Sequence, residues 1–354
     1  MGTSIDRYDY DLPEELIATK SVEPRDTSRL LTLDRRTGAV RHGVFRDIVD
    51  HVRSGDVFVF NNSKVFKARL RAACGGKTYE VFLLLPDANG WQAMIKRSRT
   101  LRVGELLDFG HGLHATLEEK NANGTVVLRF FEENANAVAN RNQFANRNAV
   151  ANENVFAFCE AYGEIPTPPY VSGSFTDAQY QTVYAQSVGS VAAPTAGFHF
   201  TPDLLRSLKD RGVTLVYITL HVGIGTFQPV RTDVVEDHTM HAEFVEISKD
   251  AARAILQAKK EGRRVIAVGT TTTRALEGWG GAGEGFFGEI NIFITPGYTF
   301  KMIDALITNF HLPKTTLLVL VSTFGGYERV RNAYKEAIKE HYRFYSFGDA
   351  MFIQ

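Results

Sequence analysis

The feature that most limits how this chain can fold is a break in its pattern at residue 66. From there to residue 131 there are only short strand-like runs, at roughly 66–73, 78–85, 90–95, 105–108, 112–119 and 125–131. Gly75-Gly76, Asn89-Gly90, Gly110 and Asn123-Gly124 separate them. Short strands punctuated this closely predict a small all-β barrel or sandwich. On either side of the break, strands alternate with helices, which predicts a largely parallel sheet. The expected fold class is therefore α/β: a discontinuous, Rossmann-like α/β/α domain over residues 1–65 and 155–354, with a small barrel-like domain inserted at 66–131. Residues 132–154 are rich in Asn and Ala. Asn competes with helix formation and the stretch has little to bury, so a flexible linker is expected there.

Within the α/β part, Asp11 is placed to cap a short helix containing Pro13, and residues 29–38 read as a hairpin. Residues 45–52 have helical spacing, and 56–60 form an apolar strand ending in Asn61-Asn62. Residues 202–211 predict a helix with Thr201 as N-cap. A strand at 213–220, a helix at 250–261, a strand at 264–268, a helix from Thr271 and a strand at 289–294 follow. Residues 317–322 fit either an apolar strand or a buried helix, and 327–341 fit a helix.

Forty basic residues balance forty acidic ones among 354, so a polyelectrolyte that coats nucleic acid without selection is excluded, though a local basic patch is not. Two cysteines give no disulfide framework and no cysteine metal site. No secretory leader and no bilayer-length apolar run is visible, and a cytoplasmic protein is expected.

The chemistry is concentrated between residues 191 and 243. His199 and His221 each sit beside a Gly bend near a strand end, where ligands of open α/β sheets bind. A lone histidine is more often a hydrogen-bonded structural residue; two in such places favour a site. His221-Val-Gly223-Ile-Gly225-Thr226 lacks the third Gly of a dinucleotide fingerprint. Gly269-Thr270-Thr271-Thr272-Thr273-Arg274 places hydroxyls and a cation at a helix start, which suits a carboxylate or phosphate; a solvent-facing polar cap explains it equally well. It is not a Walker A loop. Thr308, Asn309 and His311 can read the edge of a heterocycle, or simply form a turn. Asp349 is a loop carboxylate of the kind that is usually structural. Lys64, Lys67, Arg69 and Arg71, then Lys96, Arg97, Arg99 and Arg102, are interleaved with Phe66, Tyr79 and Trp91. They can contact phosphates and stack bases, or be ordinary solvated strand faces. No metal-ligand spacing is present.

Taken together, Tyr8-Asp-Tyr-Asp-Leu-Pro13, Val59-Phe-Asn-Asn-Ser-Lys64, Ala193-Pro-Thr195-Ala-Gly-Phe-His-Phe-Thr201, Leu220-His-Val-Gly-Ile-Gly-Thr-Phe227, His238-Thr-Met-His-Ala-Glu243, Gly269–Arg274, Thr308-Asn-Phe-His-Leu-Pro313 and Phe344–Met351 resemble the S-adenosylmethionine:tRNA ribosyltransferase-isomerases. Phe198 departs from the usual Leu, and the Asn/Ala-rich linker is longer than the family's connector. The resemblance implies transfer and rearrangement of the ribosyl part of S-adenosylmethionine onto 7-aminomethyl-7-deazaguanine at the wobble position of a tRNA. The product is epoxyqueuosine; adenine and methionine leave. S-adenosylmethionine would be a co-substrate, with no metal, and the protein would act as a monomer. On this reading His199, His221 and Glu243 are the catalytic candidates, the two histidines for removing a proton beside the sulfonium and for protonating adenine. Thr195, Gly223, Gly225, Thr226, Thr270, Thr271, Thr272, Arg274, Thr308, Asn309, His311 and Asp349 would bind substrate. Lys64, Arg69, Lys96, Arg97 and Arg99 would touch RNA. The rivals are an S-adenosylmethionine-dependent methyltransferase, disfavoured because the first strand ends in Asn61-Asn62 rather than a Gly-rich loop, and a non-catalytic tRNA-binding module, disfavoured by the histidine-bearing bends.

Overall fold

The computed structural model describes residues 2–87, 90–121, 124–132, 151–166, 177–223, 232–240 and 242–354. Its contacts divide the chain into two units. One comprises residues 1–64, 168–187 and 193–354; the other comprises 65–167 and 188–192.

The first unit is built on a nine-stranded sheet. Its strands are β1 (Arg29–Leu33), β2 (Val40–Val44), β3 (Val57–Asn61), β12 (Thr214–Leu220), β13 (Glu243–Ile247), β14 (Val265–Val268), β15 (Phe286–Ile290), β16 (Ala305–Asn309) and β17 (Ala350–Ile353). Short strands β4 (Ser63–Val65) and β11 (Ser187–Ser190) lie where the chain passes from one unit to the other. The order is β15-β13-β12-β3-β14-β16-β17-β1-β2. The central four, β12, β3, β14 and β16, are mutually parallel. β13 and β15 add antiparallel on one flank, and β17 runs antiparallel to β16 on the other. Beyond them β1 pairs parallel with β17 and β2 closes that edge antiparallel, so the expectation of a largely parallel sheet holds for the centre and for the β17–β1 pair.

Helices α2 (Pro202–Asp210), α3 (Lys249–Lys260), α4 (Thr270–Trp279), α5 (Thr316–Gly325) and α6 (Tyr327–Lys339) belong to this unit. Leu204 and Leu208 of α2 join Phe58, Phe60, Ile266 and Ile307 in one core. The alternate residues Val57, Val59, Val265 and Ala267 are equally buried, so the sheet is covered on both faces. Thr201 caps α2 by accepting from the Leu204 N–H at 3.2 Å, as the sequence predicts.

Other expectations need correcting. Asp11 caps nothing; the short turn Glu14–Leu16 starts at Pro13 without a side-chain cap. Of the two readings of residues 317–322, the buried helix holds, since they lie inside α5. The last four residues of the 289–294 run are not strand, because β15 spans Phe286–Ile290. β13, β16 and β17 were not distinguished as strands. They are short, and their polar ends carry functional-looking motifs that mask the alternation.

The second unit holds a closed barrel of β5 (Arg69–Cys74), β6 (Lys77–Asp87), β7 (Gly90–Ile95), β8 (Leu106–Asp108), β9 (Leu113–Lys120) and β10 (Val126–Glu132), in the order β10-β7-β6-β5-β8-β9. Helix α1 (Asn152–Tyr162) packs Val155 and Cys159 into the barrel core, and Trp91 Nε1 donates to Asn152 Oδ1 at 2.9 Å. The barrel unit therefore keeps residues 155–166, which the sequence reading gave to the α/β domain. Glu132 ends β10 and residues 152–154 begin α1, so neither is linker. Residues 133–150 lie outside the described residues.

Candidate active site at the carboxyl edge of the parallel strands

Four parallel strands side by side present four carboxyl ends in a row, and the sequence motifs follow directly from those ends. β12 leads to His221-Val222-Gly223, β3 ends in Asn61, β14 leads to Gly269 and Thr270, and β16 ends in Thr308-Asn309 before His311. β13 starts at Glu243, which its antiparallel register brings beside the His221–Gly223 bend.

Glu243 and Arg274 form a buried ion pair between the start of β13 and the first turns of α4. They are 5% and 6% exposed, so neither charge can be solvated. Burial pushes the Glu243 carboxyl above its usual range, while Arg274 and the Gly223 N–H pull it back. Glu243 thereby ties the bend after β12 to helix α4. Arg274 Nε donates to the Ile292 carbonyl at 3.3 Å. Its Nη2 is buried with no hydrogen-bond partner.

Gly269, with φ 94°, makes the turn into α4 that only glycine adopts without strain. No side chain caps that helix, so the N–H groups of its first turn remain available. The four threonines are not alike. Thr272 Oγ1 donates to the Val268 carbonyl at 2.8 Å, and Thr273 Oγ1 to that of Gly269 at 3.1 Å. Those two hydroxyls are spent within the helix. Thr270 and Thr271 are buried, and their hydroxyls have no partner among the described residues.

His221 is half-buried. Its backbone N–H donates to the Phe244 carbonyl at 3.0 Å, extending the sheet by one residue. Its ring lies 6.2 Å from that of Phe244, nearly parallel. Nδ1 is buried without a partner, and burial lowers the imidazole pKa.

His199 has a different environment. It is 4% exposed and stacked on Phe45 at 4.9 Å. Nδ1 lies 2.7 Å from Ser28 Oγ, and Nε2 lies 3.3 Å from Asn309 Nδ2. Asn309 Nδ2 can only donate, so Nε2 accepts and the proton sits on Nδ1, directed at Ser28. Burial, with smaller contributions from Arg343 and Arg25 against that of Asp349, brings its pKa down to about 4. The cavity reaching it among the described residues offers only about 10 Å³, too little for a substrate. His199 orients Asn309, which also donates to the Tyr345 carbonyl at 3.2 Å and accepts from Thr195 Oγ1 at 3.4 Å.

His311 is also spoken for. Nε2 pairs with Thr308 Oγ1 at 2.8 Å, and burial holds its pKa at about 3. Its backbone N–H donates to the Tyr334 hydroxyl at 3.0 Å, and the Tyr10 hydroxyl donates to its carbonyl. Asp349 is buried and accepts from the Arg29 N–H at 3.0 Å, the Arg343 N–H at 2.8 Å and Arg343 Nη2 at 3.0 Å. Its oxygens hold the loop before β17 to β1, which leaves it a structural part.

The strands thus bring two groups together. Glu243, Arg274, His221 and Gly223 form one; His199, Thr195, Asn309, Thr308 and His311 form the other. β12 and β16 are three strand spacings apart in the sheet, about 14 Å. The His221 bend and Asn309 therefore follow from strand ends three places apart in the sheet. Gly225, Thr226 and His241 lie outside the described residues.

In the barrel unit Lys96, Arg97 and Arg99 are exposed around the turn after β7, where Arg97 adopts φ 67°. Lys64 and Arg69 are half-buried, and Arg69 sits at the start of β5. Phe66, Tyr79 and Trp91 are buried in the barrel core, so they are not free to stack on bases. Ser28, Tyr10 and Tyr334 are the participants that sequence reasoning missed; Gly223 was expected as a substrate contact, and its N–H instead bonds Glu243. Only Tyr10 lay in a recognisable motif. Among the described residues no group of His, Cys, Asp and Glu is arranged to hold a metal, and no helix is long and apolar enough to cross a membrane.

Comparison with known proteins agrees with this geometry. The queuosine biosynthesis protein family matches residues 5–353. An S-adenosylmethionine:tRNA ribosyltransferase-isomerase of Heliobacterium modesticaldum is 47% identical, covering 98% of each chain. That of Desulfitobacterium hafniense is 45% identical, covering 99% of each. The crystal structure of an S-adenosylmethionine tRNA ribosyltransferase from Thermotoga maritima superposes with a TM-score of 0.56 at 34% identity, over 98% of this chain and 100% of that one. A match of this length and identity, on a sheet whose carboxyl edge collects the same motifs that suggested it, means that the chain belongs to the queuosine biosynthesis protein family.

Proposed function

We propose that this chain is an S-adenosylmethionine:tRNA ribosyltransferase-isomerase. It moves the ribosyl moiety of S-adenosylmethionine to 7-aminomethyl-7-deazaguanine at the wobble position, rearranges it to the epoxycyclopentane of epoxyqueuosine, and releases adenine and methionine. It works in the cytoplasm as a monomer, without a metal. The observation that carries the reading is the row of motifs along one sheet edge, about 14 Å across from the end of β12 to the end of β16. That span suits a long co-substrate with a carboxylate at one end and a purine at the other.

The methionine carboxylate fits at the start of α4. The Thr270 and Thr271 hydroxyls, the free N–H groups of the first turn and Arg274 Nη2 are the available donors. Thr272 supports the turn from within. The sulfonium would then lie by the His221 bend. A positive sulfur acidifies the adjoining C5′, and His221 takes that proton. Burial lowers its pKa, which keeps the imidazole neutral and able to accept. Glu243 is a positioning residue: it fixes Gly223 and Arg274 together. Asn309, its amide hydrogens held by His199 and Tyr345, offers the spare lone pair of Oδ1 towards the purine end, and Thr308 with His311 stiffens that corner. Gly225 and Thr226 are further contacts to the substrate on this reading. Lys96, Arg97 and Arg99 contact RNA phosphates, with Lys64 and Arg69 as lesser contributors.

The test is product analysis. With S-adenosylmethionine and a tRNA bearing the aminomethyl base, the protein should release free adenine and methionine in equal amounts. S-adenosylhomocysteine as the product would mean methyl transfer and would end the proposal. His221→Ala should lower kcat by at least a hundredfold with little change in the KM for either substrate.

A further inference from the structure

A cavity of about 380 Å³ lies between the N-terminal segment and helices α5 and α6. None of the sequence motifs discussed for the carboxyl edge lines it except the Tyr8–Asp11 stretch. Leu318, Val330 and Ile338 form its apolar wall. Four tyrosines complete the wall as two edge-to-face pairs: Tyr8 with Tyr327 at 5.6 Å, and Tyr10 with Tyr334 at 5.5 Å. The size and the mixture of rings with a few polar groups are those of a small-molecule site.

Two of the lining residues are polar and largely enclosed, with hydroxyls that no protein group engages. Ser322 and Tyr8 are each 4% exposed, and neither hydroxyl has a hydrogen-bond partner among the described residues. A helix serine commonly bonds back to the preceding turn; Thr323, its neighbour, does so at 2.8 Å while Ser322 does not. Two hydroxyls that no protein group engages, on a wall otherwise made mostly of rings and alkyl chains, are placed to bond the polar edge of a ligand.

The mouth carries Arg7, Arg331 and Lys335 against Asp9 and Asp11. Asp9 is already paired with Lys314 at 2.9 Å. Arg7 lies over the Tyr327 ring at 4.6 Å, and Lys335 has no ion-pair partner among the described residues. Arg331 has only an exposed partner, Glu328, at 3.9 Å, and Asp11 has none among the described residues, so Arg7 and Lys335 against Asp11 leave the rim positive.

We propose that this cavity binds a flat aromatic molecule carrying an anionic group, of the mononucleotide class. Its ring lies among the tyrosines, its polar edge meets the Tyr8 and Ser322 hydroxyls, and its phosphate meets Lys335 and Arg331. The occupant also bears on the carboxyl-edge site. The same Tyr10 and Tyr334 that line the cavity hold the His311 peptide from both sides. That coupling rests on the role proposed for His311; binding in the cavity does not.

The test is equilibrium dialysis of 5′-AMP and 5′-GMP against the full chain, with S-adenosylmethionine saturating and no RNA present. One nucleotide should bind per chain, undisplaced by S-adenosylmethionine, and adenosine should bind at least tenfold more weakly. Lys335→Glu, on an exposed helix face, should weaken 5′-AMP binding at least tenfold. Ser322→Leu should abolish it by filling the space; if that variant fails to fold, Lys335→Glu alone decides. Competition by unmodified tRNA would identify the nucleotide as part of an RNA, and its absence would identify a free one. No saturable binding, full displacement by S-adenosylmethionine, or an unchanged affinity in Lys335→Glu would overturn the proposal. Because dialysis reads binding rather than turnover, its failure is distinct from a failure to release adenine.

Discussion

Replacing Glu243 by Ala would strand the Arg274 guanidinium, which is 6% exposed and, among the described residues, otherwise donates only to the Ile292 carbonyl. Removing one partner of a buried pair typically costs about 3–5 kcal/mol, because the remaining charge stays desolvated. For a unit of this size each kcal/mol moves Tm by about 2–4 °C, so calorimetry should show a fall of roughly 6–20 °C. Glu243→Ala/Arg274→Met removes both charges. It should regain at least about 2 kcal/mol over the single variant, since desolvation opposes the pair: burial already pushes the Glu243 carboxyl upward. Activity should not follow stability. The double variant melts near the parent but lacks Arg274 Nη2, so its KM for S-adenosylmethionine should stay at least tenfold high while that for tRNA moves little. A single variant melting within 2 °C of the parent, roughly 1 kcal/mol or less, would show that the pair is solvated. A double variant no more stable than the single would show that Glu243 acts through Gly223 rather than through Arg274.

Acid should destabilise the α/β unit through its buried histidines. His199 and His311 are held at about 4 and about 3, against 6.5 for a free imidazole, so they are neutral when folded and protonate on unfolding. Their contribution is whole above about pH 6.5 and is lost as pH falls through that value towards the folded pKa, roughly 3 kcal/mol for His199 by pH 4. Urea midpoints that stay flat between pH 7 and 4 would contradict this. Gly197→Ala would place a Cβ 2.0 Å from the Tyr184 hydroxyl and 2.8 Å from Thr182 Cγ2, and should cost about 1–3 kcal/mol in urea melts. A variant as stable as the parent would mean that the Thr195–His199 turn yields easily. Arg97→Ala/Arg99→Ala should reduce the slope of log K against log salt for tRNA binding by about one unit per arginine; an unchanged slope would remove this turn from the RNA interface.

The sequence by itself determined the architecture. The period of two with Gly turns between residues 66 and 131 admits only a small β structure, and all six barrel strands lie within a few residues of the runs that announced them. The strand and helix alternation elsewhere marked β3, β12, β14, α2, α3, α4 and α6, because local spacing is what reports burial on one face. The motifs also identified the family. Strand partners are a different matter, since pairing joins residues far apart in the chain. Thr308-Asn309 read as a turn because polar residues end β16, and Gly348–Met351 read as a loop although Ala350 pairs with Asn309 in the sheet. Roles within the site depended on tertiary structure altogether. His199 and His221 are alike in sequence context, each an imidazole beside a glycine. Ser28, 171 residues before His199, and Asn309, 110 after it, occupy both nitrogens of one ring, while the other keeps Nδ1 unpaired. A proton-transfer group needs a free lone pair, and which lone pair is free is settled by neighbours the chain brings from a distance.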